Sequence, residues 1–180
     1  ISTHSGEELF CGKVHKNLKK KYNNIISIII PRHIHRTEEI LGELNSENLK
    51  VHLHTSNKPV DSKTDIYLVD TFGETKSFLK ETKIAFMGKS LHARGGQNPI
   101  EAARLGNRII HGPNVENFTE VYNFLRMHGI STKIKSYKDF ENLVIKFYKK
   151  KNYSKQIIKR LSYTGKQILL NNEKEINKYL

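Results

Sequence analysis

The chain has 180 residues, 37% of them hydrophobic and 27% charged, which supports one core of ordinary domain size and argues against disorder. Its single cysteine, Cys11, excludes an internal disulfide framework and a cysteine-rich metal site. No apolar run approaches the roughly 18 residues of a spanning helix, and a formal charge of +13 makes anionic partners the ones to consider.

Ile1 to His4 reads as the end of a strand already under way, so a fragment or excised domain is expected. No secretion signal is visible, and a cytoplasmic setting is expected. Ser5 to Tyr22 reads as a helix, opened by a Ser5-Gly6-Glu7-Glu8 capping box and carrying Phe10, Val14 and Leu18 on one stripe. Ile25 to Ile30 is a β-branched run of the kind buried on both faces of a sheet, stopped by Pro31. A short helix follows over Thr37 to Leu44, then strands at Leu49 to Leu53 and Asp65 to Val69, with polar loop between them. A brief helix reaches Leu79, and Ile84 to Met87 is the next strand.

The following helix, Asn98 to Leu105, has the clearest start in the chain: Asn98 at the N-cap, Pro99 at the first position and Glu101 at the third. Arg108 to Ile110 is a strand, Asn117 caps a helix ending at Gly129, and Thr132 to Ile134 is a strand. Phe140, Leu143, Val144, Phe147 and Tyr148 then form a helical stripe, and the last 30 residues read as helix in two pieces, broken near Thr164 and Gly165. Strands alternating with helices predict an α/β fold with a doubly wound, Rossmann-like parallel sheet. Ligands of such sheets bind beyond the carboxyl ends of the strands. The loops placed there are Ser2 to Gly6, Pro31 to Arg36, Asp70 to Glu74, Gly88 to Glu101 and Gly112 to Asn117.

Each loop has a chemical reading and a plain one. Gly95 and Gly96 let backbone pass close to a ligand and feed a helix N-terminus, an arrangement that suits an anion. Ser2, Thr3, His4 and Ser5 either hold a phosphate or carboxylate or form an ordinary strand-to-helix turn. Arg32 and Arg36 offer planar forks for an anion, while a metal reading of His33 and His35 lacks an acidic or sulfur partner. Asp70 reads most simply as a helix cap. Glu101 fits either a cap or a ribose contact, and its spacing does not choose. His111, His128 and Cys11 read as packing or surface residues. Residues 130–180 hold 13 Lys and Arg against 4 Asp and Glu, a basic stretch that fits a solvated helix face, nucleic acid or an anionic membrane.

Together these motifs are highly specific. Ser2-Thr3-His4 with Gly6-Glu7-Glu8, Pro31-Arg32-His33, Asp70-Thr71 with Gly73-Glu74, Gly88 with Ser90, Arg94-Gly95-Gly96 with Asn98-Pro99 and Glu101, and Gly112-Pro113 with Glu116-Asn117-Phe118 occur in order over about residues 1–125. The set resembles the Kdo transferases, which move 3-deoxy-D-manno-octulosonic acid from CMP-Kdo to lipid A precursor in lipopolysaccharide synthesis. The resemblance implies the C-terminal, donor-binding half of a GT-B glycosyltransferase, a single domain over residues 1–180 whose helices from about 137 pack on it and towards an N-terminal domain.

It also implies roles. Arg32 would meet the CMP phosphate and Glu101 the ribose. The loops of Gly88 to Ser90 and of Arg94, Gly95, Gly96 and Asn98 would hold the nucleotide and the sugar carboxylate. Ser2, Thr3 and His4 would line the cleft, and Glu116 and Asn117 would close it. No catalytic residue is expected in this chain, because the family keeps its acidic base on the N-terminal domain. The chemistry would be inverting and metal-independent, with no cofactor. Expected partners are CMP-Kdo, a lipid A precursor and the anionic cytoplasmic face of the bacterial inner membrane, with no specific nucleic acid. The sequence departs from the family pattern at Lys89, where Gly is common, Gln97 (His), Ala102 (Pro), and Ile34-His35-Arg36, where a Pro-Glu-Arg run is common. A GT-B domain with a UDP-sugar donor and a basic nucleic-acid-binding module are the alternatives; the lack of an aromatic platform weighs against the second.

Overall fold

A computed structural model describes residues 1–149 and 153–178, apart from the side chain of Ile168. Among the described residues six short strands all pair in parallel. They are β1 (Ser27–Ile29), β2 (Val51–Leu53), β3 (Ile66–Leu68), β4 (Ile84–Met87), β5 (Arg108–His111) and β6 (Ser131–Lys133). Two three-stranded sheets result, β1-β3-β2 and β4-β5-β6. Residues 1–3 lie between them. Thr3 bridges in parallel to Pro31, its amide donating to the Ile30 carbonyl at 3.3 Å, while the Gly88 amide donates to the Ile1 carbonyl at 2.9 Å. The continuous order is therefore β2-β3-β1, residues 1–3, β4-β5-β6. The order in which strands are added reverses between residues 1–3 and β4, which is where a doubly wound sheet opens its ligand crevice.

Among the described residues seven α-helices cover the sheet: α1 (Glu7–Lys19), α2 (Thr37–Ser46), α3 (Thr75–Glu81), α4 (Ile100–Arg104), α5 (Thr119–Met127), α6 (Tyr137–Tyr148) and α7 (Tyr153–Ile176). The pleat sorts the core. Ala85, Met87 and Ile109 point to α3, α4, α5 and α7, burying Leu79, Ala102, Tyr122, Leu125 and Ile157. Phe86 and Ile110, one residue out of phase, meet Phe10, Val14 and Leu18 of α1 and Phe140 and Phe147 of α6. Each fully buried aliphatic side chain contributes about 1.5–3 kcal/mol. Ile29, Ile66 and Leu68 pack against Ile40 and Leu44 of α2. The Arg108 guanidinium lies between the rings of Phe147 (4.2 Å) and Tyr153 (3.1 Å) and so fastens α6 and α7 to β5.

Several sequence expectations are corrected. Only Ser27–Ile29 of the Ile25 to Ile30 run is strand, and Ile26 is 45% exposed, so the start of this strand is not buried on both faces. The α1 helix is capped by Gly6 in the left-handed region with no side-chain cap hydrogen bond, and Glu8, the expected box partner of Ser5, meets Arg36 instead. Asn117 does not cap α5: a 3-10 turn over Glu116–Phe118 precedes it, and Phe118 is the capping residue. The proposed break at Thr164 and Gly165 is absent. The α7 helix runs unbroken through both, because its first half is docked through Ile157 and a single glycine costs only about 1 kcal/mol. Residues 150–152 and 179–180 of the expected terminal helix lie outside the described residues. No helix among the described residues is long and apolar enough to cross a membrane.

Candidate functional site

The turn after residues 1–3 and the loop after β4 meet around the buried carboxylate of Glu7. Glu7 is 0% exposed. Its Oε1 accepts hydrogen bonds from the amides of Ser90 and Leu91, both 2.9 Å, and its Oε2 from those of Lys89 (2.7 Å) and His4 (2.9 Å). This residue joins the turn after residues 1–3 to the loop after β4, across the point where the sheet reverses. Placing Glu7 within a local capping box misses that role, since three of its four partners lie 82–84 positions away. The available signal was a pair of adjacent glutamates at a strand-to-helix turn.

Glu8 is equally buried and meets Arg36 Nη1 at 3.1 Å. Burial pushes the Glu8 carboxyl above the usual carboxylate range, against the pull of that guanidinium. Arg36 also holds Glu39 through Nη2 (2.9 Å) and Nε (3.1 Å). The two arginines of the Pro31 to Arg36 loop thus separate: Arg36 is committed to internal carboxylates, while the Arg32 side chain is exposed and its backbone amide donates to the Thr3 carbonyl at 3.0 Å. Among the described residues, neither Arg32 nor Lys89 forms an ion pair.

Ser2 takes φ 52° beside Gly88, where a β-carbon would lie 2.2 Å from the Ser2 carbonyl oxygen; only glycine permits this approach. Thr3 is buried. The half-buried His4 sets its ring edge-on to His33 at 5.3 Å, and burial holds its pKa below the usual histidine value, leaving the ring neutral at pH 7. His33 and His35 rings are 5.5 Å apart. Among the described residues no group of three His, Cys, Asp or Glu side chains is placed to hold a metal ion.

The glycine loop is braced internally. Ser90 is fully buried, its hydroxyl donating to the Met87 carbonyl (2.6 Å) and accepting from the Gly112 amide (2.8 Å), so it presents backbone rather than side chain. The Gly95 amide donates to Glu116 Oε2 (2.8 Å), and the Asn117 amide donates to the Gly95 carbonyl (3.2 Å). The missing β-carbons at Gly95 and Gly96 make room for Asn117 and Val115, 2.9 Å from where those carbons would stand. The close approach expected of a ligand is made by the chain itself. Arg94 is exposed, and the Glu116 carboxyl is held below its usual range by backbone hydrogen bonds, with Arg94 adding to them.

At α4 the capping pattern is half realised. Asn98 Oδ1 accepts from the Ile100 amide at 3.0 Å, but the helix begins at Ile100 with Pro99 as cap, and Glu101 is exposed without the reciprocal bond. Asp70 caps nothing: its carboxylate takes the Thr55 amide (3.0 Å) and hydroxyl (2.5 Å), tying the end of β3 to the loop after β2. The packing roles of His111, His128 and Cys11 hold. Burial lowers the His111 pKa to about 4 and pushes the Cys11 thiol up to about 12, and His128 Nδ1 lies 2.9 Å from the Phe124 carbonyl.

Arg32, Lys89 and Arg94 thus stand on loops at the sheet's reversal point, braced by the buried Glu7 and the exposed Glu116. The carboxylates there are mostly spent on backbone amides or arginines, which leaves this edge suited to an anionic ligand. No protein-family model matches the chain. It is 30% identical over 179 residues to a 3-deoxy-D-manno-octulosonic acid transferase of Rickettsia felis, covering 99% of this chain and 38% of that protein. A protein of that name from Haemophilus influenzae is 28% identical over 180 residues, 99% of this chain and 41% of its own length. A probable mitochondrial 3-deoxy-D-manno-octulosonic acid transferase of Arabidopsis thaliana is 34% identical over 141 residues, 74% of this chain and 32% of its own. Among solved structures, the C-terminal CMP-Kdo binding domain of WaaA from Acinetobacter baumannii superimposes with a TM-score of 0.80 at 21% identity, over 87% of this chain and 82% of that one. The fold is therefore that of the C-terminal half of a GT-B glycosyltransferase. The chain spans about two fifths of the bacterial relatives it matches almost end to end.

Proposed function

We propose, from a chain that belongs by sequence with the 3-deoxy-D-manno-octulosonic acid transferases, that residues 1–180 are the donor-binding part of such an enzyme and that the donor is CMP-Kdo. What supports this is that the loops after β1 and β4, which carry Arg32, Lys89 and Arg94, flank the reversal point of the sheet, with the Arg32 amide tied to the Thr3 carbonyl and the Lys89 and Gly95 amides to Glu7 and Glu116. A cytidine monophosphate tail would lie across that point. Arg32 would face the phosphate, and the ribose would sit towards Glu101, whose carboxylate has no internal hydrogen bond among the described residues. The Gly88 to Ser90 and Arg94 to Asn98 backbones would supply amides and shape, with Ser2, Thr3 and His4 as the floor and Glu116 and Asn117 as the far wall.

Transfer is inverting in this reading. The acceptor hydroxyl of a lipid A precursor attacks the anomeric carbon, the bond to the phosphate oxygen breaks, and CMP leaves with the electron pair. Charge on the leaving phosphate is answered by Arg32 and backbone dipoles rather than by a metal. The acidic base and the acceptor site belong to a second lobe, so residues 1–180 alone bind donor and transfer nothing. The exposed distal half of α7, with Leu169 and Ile176 each 59% exposed, is where that lobe would pack. The lysines of α6 and α7 would face the anionic inner leaflet on its cytoplasmic side. Calorimetric titration with CMP and with UDP tests the assignment. CMP binding weakened about tenfold by Arg32→Ala supports it; preference for UDP moves the chain to another class of GT-B donor.

A further inference from the structure

Lys89 stands in a conformation that lysine rarely adopts. Its φ is 55°, in the left-handed region where a β-carbon is strained and glycine is at ease. The backbone leaves no choice, because the Lys89 amide donates to Glu7 at 2.7 Å and its carbonyl accepts from Gly96 at 3.0 Å. Whatever residue occupies this position must take that turn. A long cation here is thus carried at the expense of the local fold, a combination that clusters at binding sites.

Its position gives the cation a purpose. Lys89 opens the loop after β4, and Arg32 opens the loop after β1, with residues 1–4 between them. Two strand spacings separate these backbones, about 10 Å, a gap that a lysine and an arginine side chain span together around one small anion. His4 fills the middle, its ring edge against His33, next to Arg32 in the chain. Burial is the chief cause that lowers the His4 pKa, the Glu7 charge opposes it, and the cations of Lys89 and Arg36 add to it, so Lys89 and His4 share one electrostatic neighbourhood. Lys89 is half-buried and unpaired by any carboxylate among the described residues.

We infer that Lys89 is a second anion-binding residue for the donor, closing with Arg32 on the nucleotide phosphate from the opposite side of residues 1–4. The inference rests on the donor-binding reading above and adds a residue that relatives with glycine at this position would lack. Charge and strain make separable predictions. Lys89→Gly removes both; Lys89→Asn removes the charge and keeps a residue tolerant of the left-handed turn.

Chemical-shift titrations of wild type and both variants with CMP and with cytidine, alongside thermal melts, decide the matter. The expected result is CMP affinity reduced about tenfold in both variants, cytidine affinity unchanged, and a Lys89→Gly melting temperature at or above wild type. CMP affinity within twofold of wild type in both folded variants overturns the inference. So does an equal loss of CMP and cytidine binding together with a lowered melting temperature, which marks the lysine as structural. A wild-type protein that binds neither ligand overturns the donor-binding reading and this inference with it, and the wild-type titration tells that failure apart.

Discussion

Removing the Glu7 carboxylate is the most revealing perturbation of the fold. Glu7→Ala leaves four backbone amides without their acceptor. Ser90 is fully buried and its amide bears the whole penalty, about 1–3 kcal/mol. The His4, Lys89 and Leu91 amides are partly reached by water, so together they add a smaller amount, and the total is about 3–5 kcal/mol against a domain stability of about 5–15 kcal/mol. Glu7→Gln is no remedy despite its shape. Its amide nitrogen must face either the His4 and Lys89 donors or the Ser90 and Leu91 donors, and the loss stays about 2–4 kcal/mol. Since the chain has no tryptophan, urea unfolding is followed by circular dichroism. With a slope of about 2 kcal/mol/M, the Glu7→Ala midpoint falls by about 1.5–2.5 M. A shift below about 0.3 M would show that the loop after β4 stands without its carboxylate and refute the reasoning.

The other predictions concern packing, titration and charge. Gly88→Ala sets a β-carbon 2.2 Å from the Ser2 carbonyl and lowers the melting temperature sharply, whereas Gly42→Ala, inside α2 with nothing within 4 Å, raises stability by about 0.5–1 kcal/mol; thermal melts compare the two. His111 has a folded pKa lowered to about 4 from 6.5, so it stabilises fully above pH 6.5, and about 3 kcal/mol is lost as pH falls from 6.5 to about 4. Urea midpoints measured across that window should fall more steeply in wild type than in His111→Gln, and parallel curves would exclude this origin. Arg32→Ala, at an exposed side chain, should weaken CMP binding while leaving the urea midpoint within the equivalent of about 0.5 kcal/mol.

Much of this architecture can be read from local pattern. The Phe10, Val14, Leu18 stripe and the strand at Ile84 to Met87 fall where periodicity puts them, and the loops expected at the carboxyl edge do gather there. Local pattern fails where a residue answers to a distant partner. Glu7 looks like a cap because its neighbours are capping residues, but the loop that uses it is 82–84 positions away. Arg32 and Arg36 look alike on paper and are separated by Glu8 and Glu39, which claim one of them. Gly95 and Gly96 read as space for a ligand, and the space is taken by Asn117 and Val115. The continuity of α7 through Gly165 rests on docking of its first half, which a propensity argument does not contain.

The most direct measurement of the central claim is an amide chemical-shift map of the labelled protein titrated with CMP. The account predicts saturable shifts confined to residues around His4, Arg32 and His33, and along Gly88 to Glu101. No saturable change, or changes centred on the lysines of α6 and α7 instead, would contradict it.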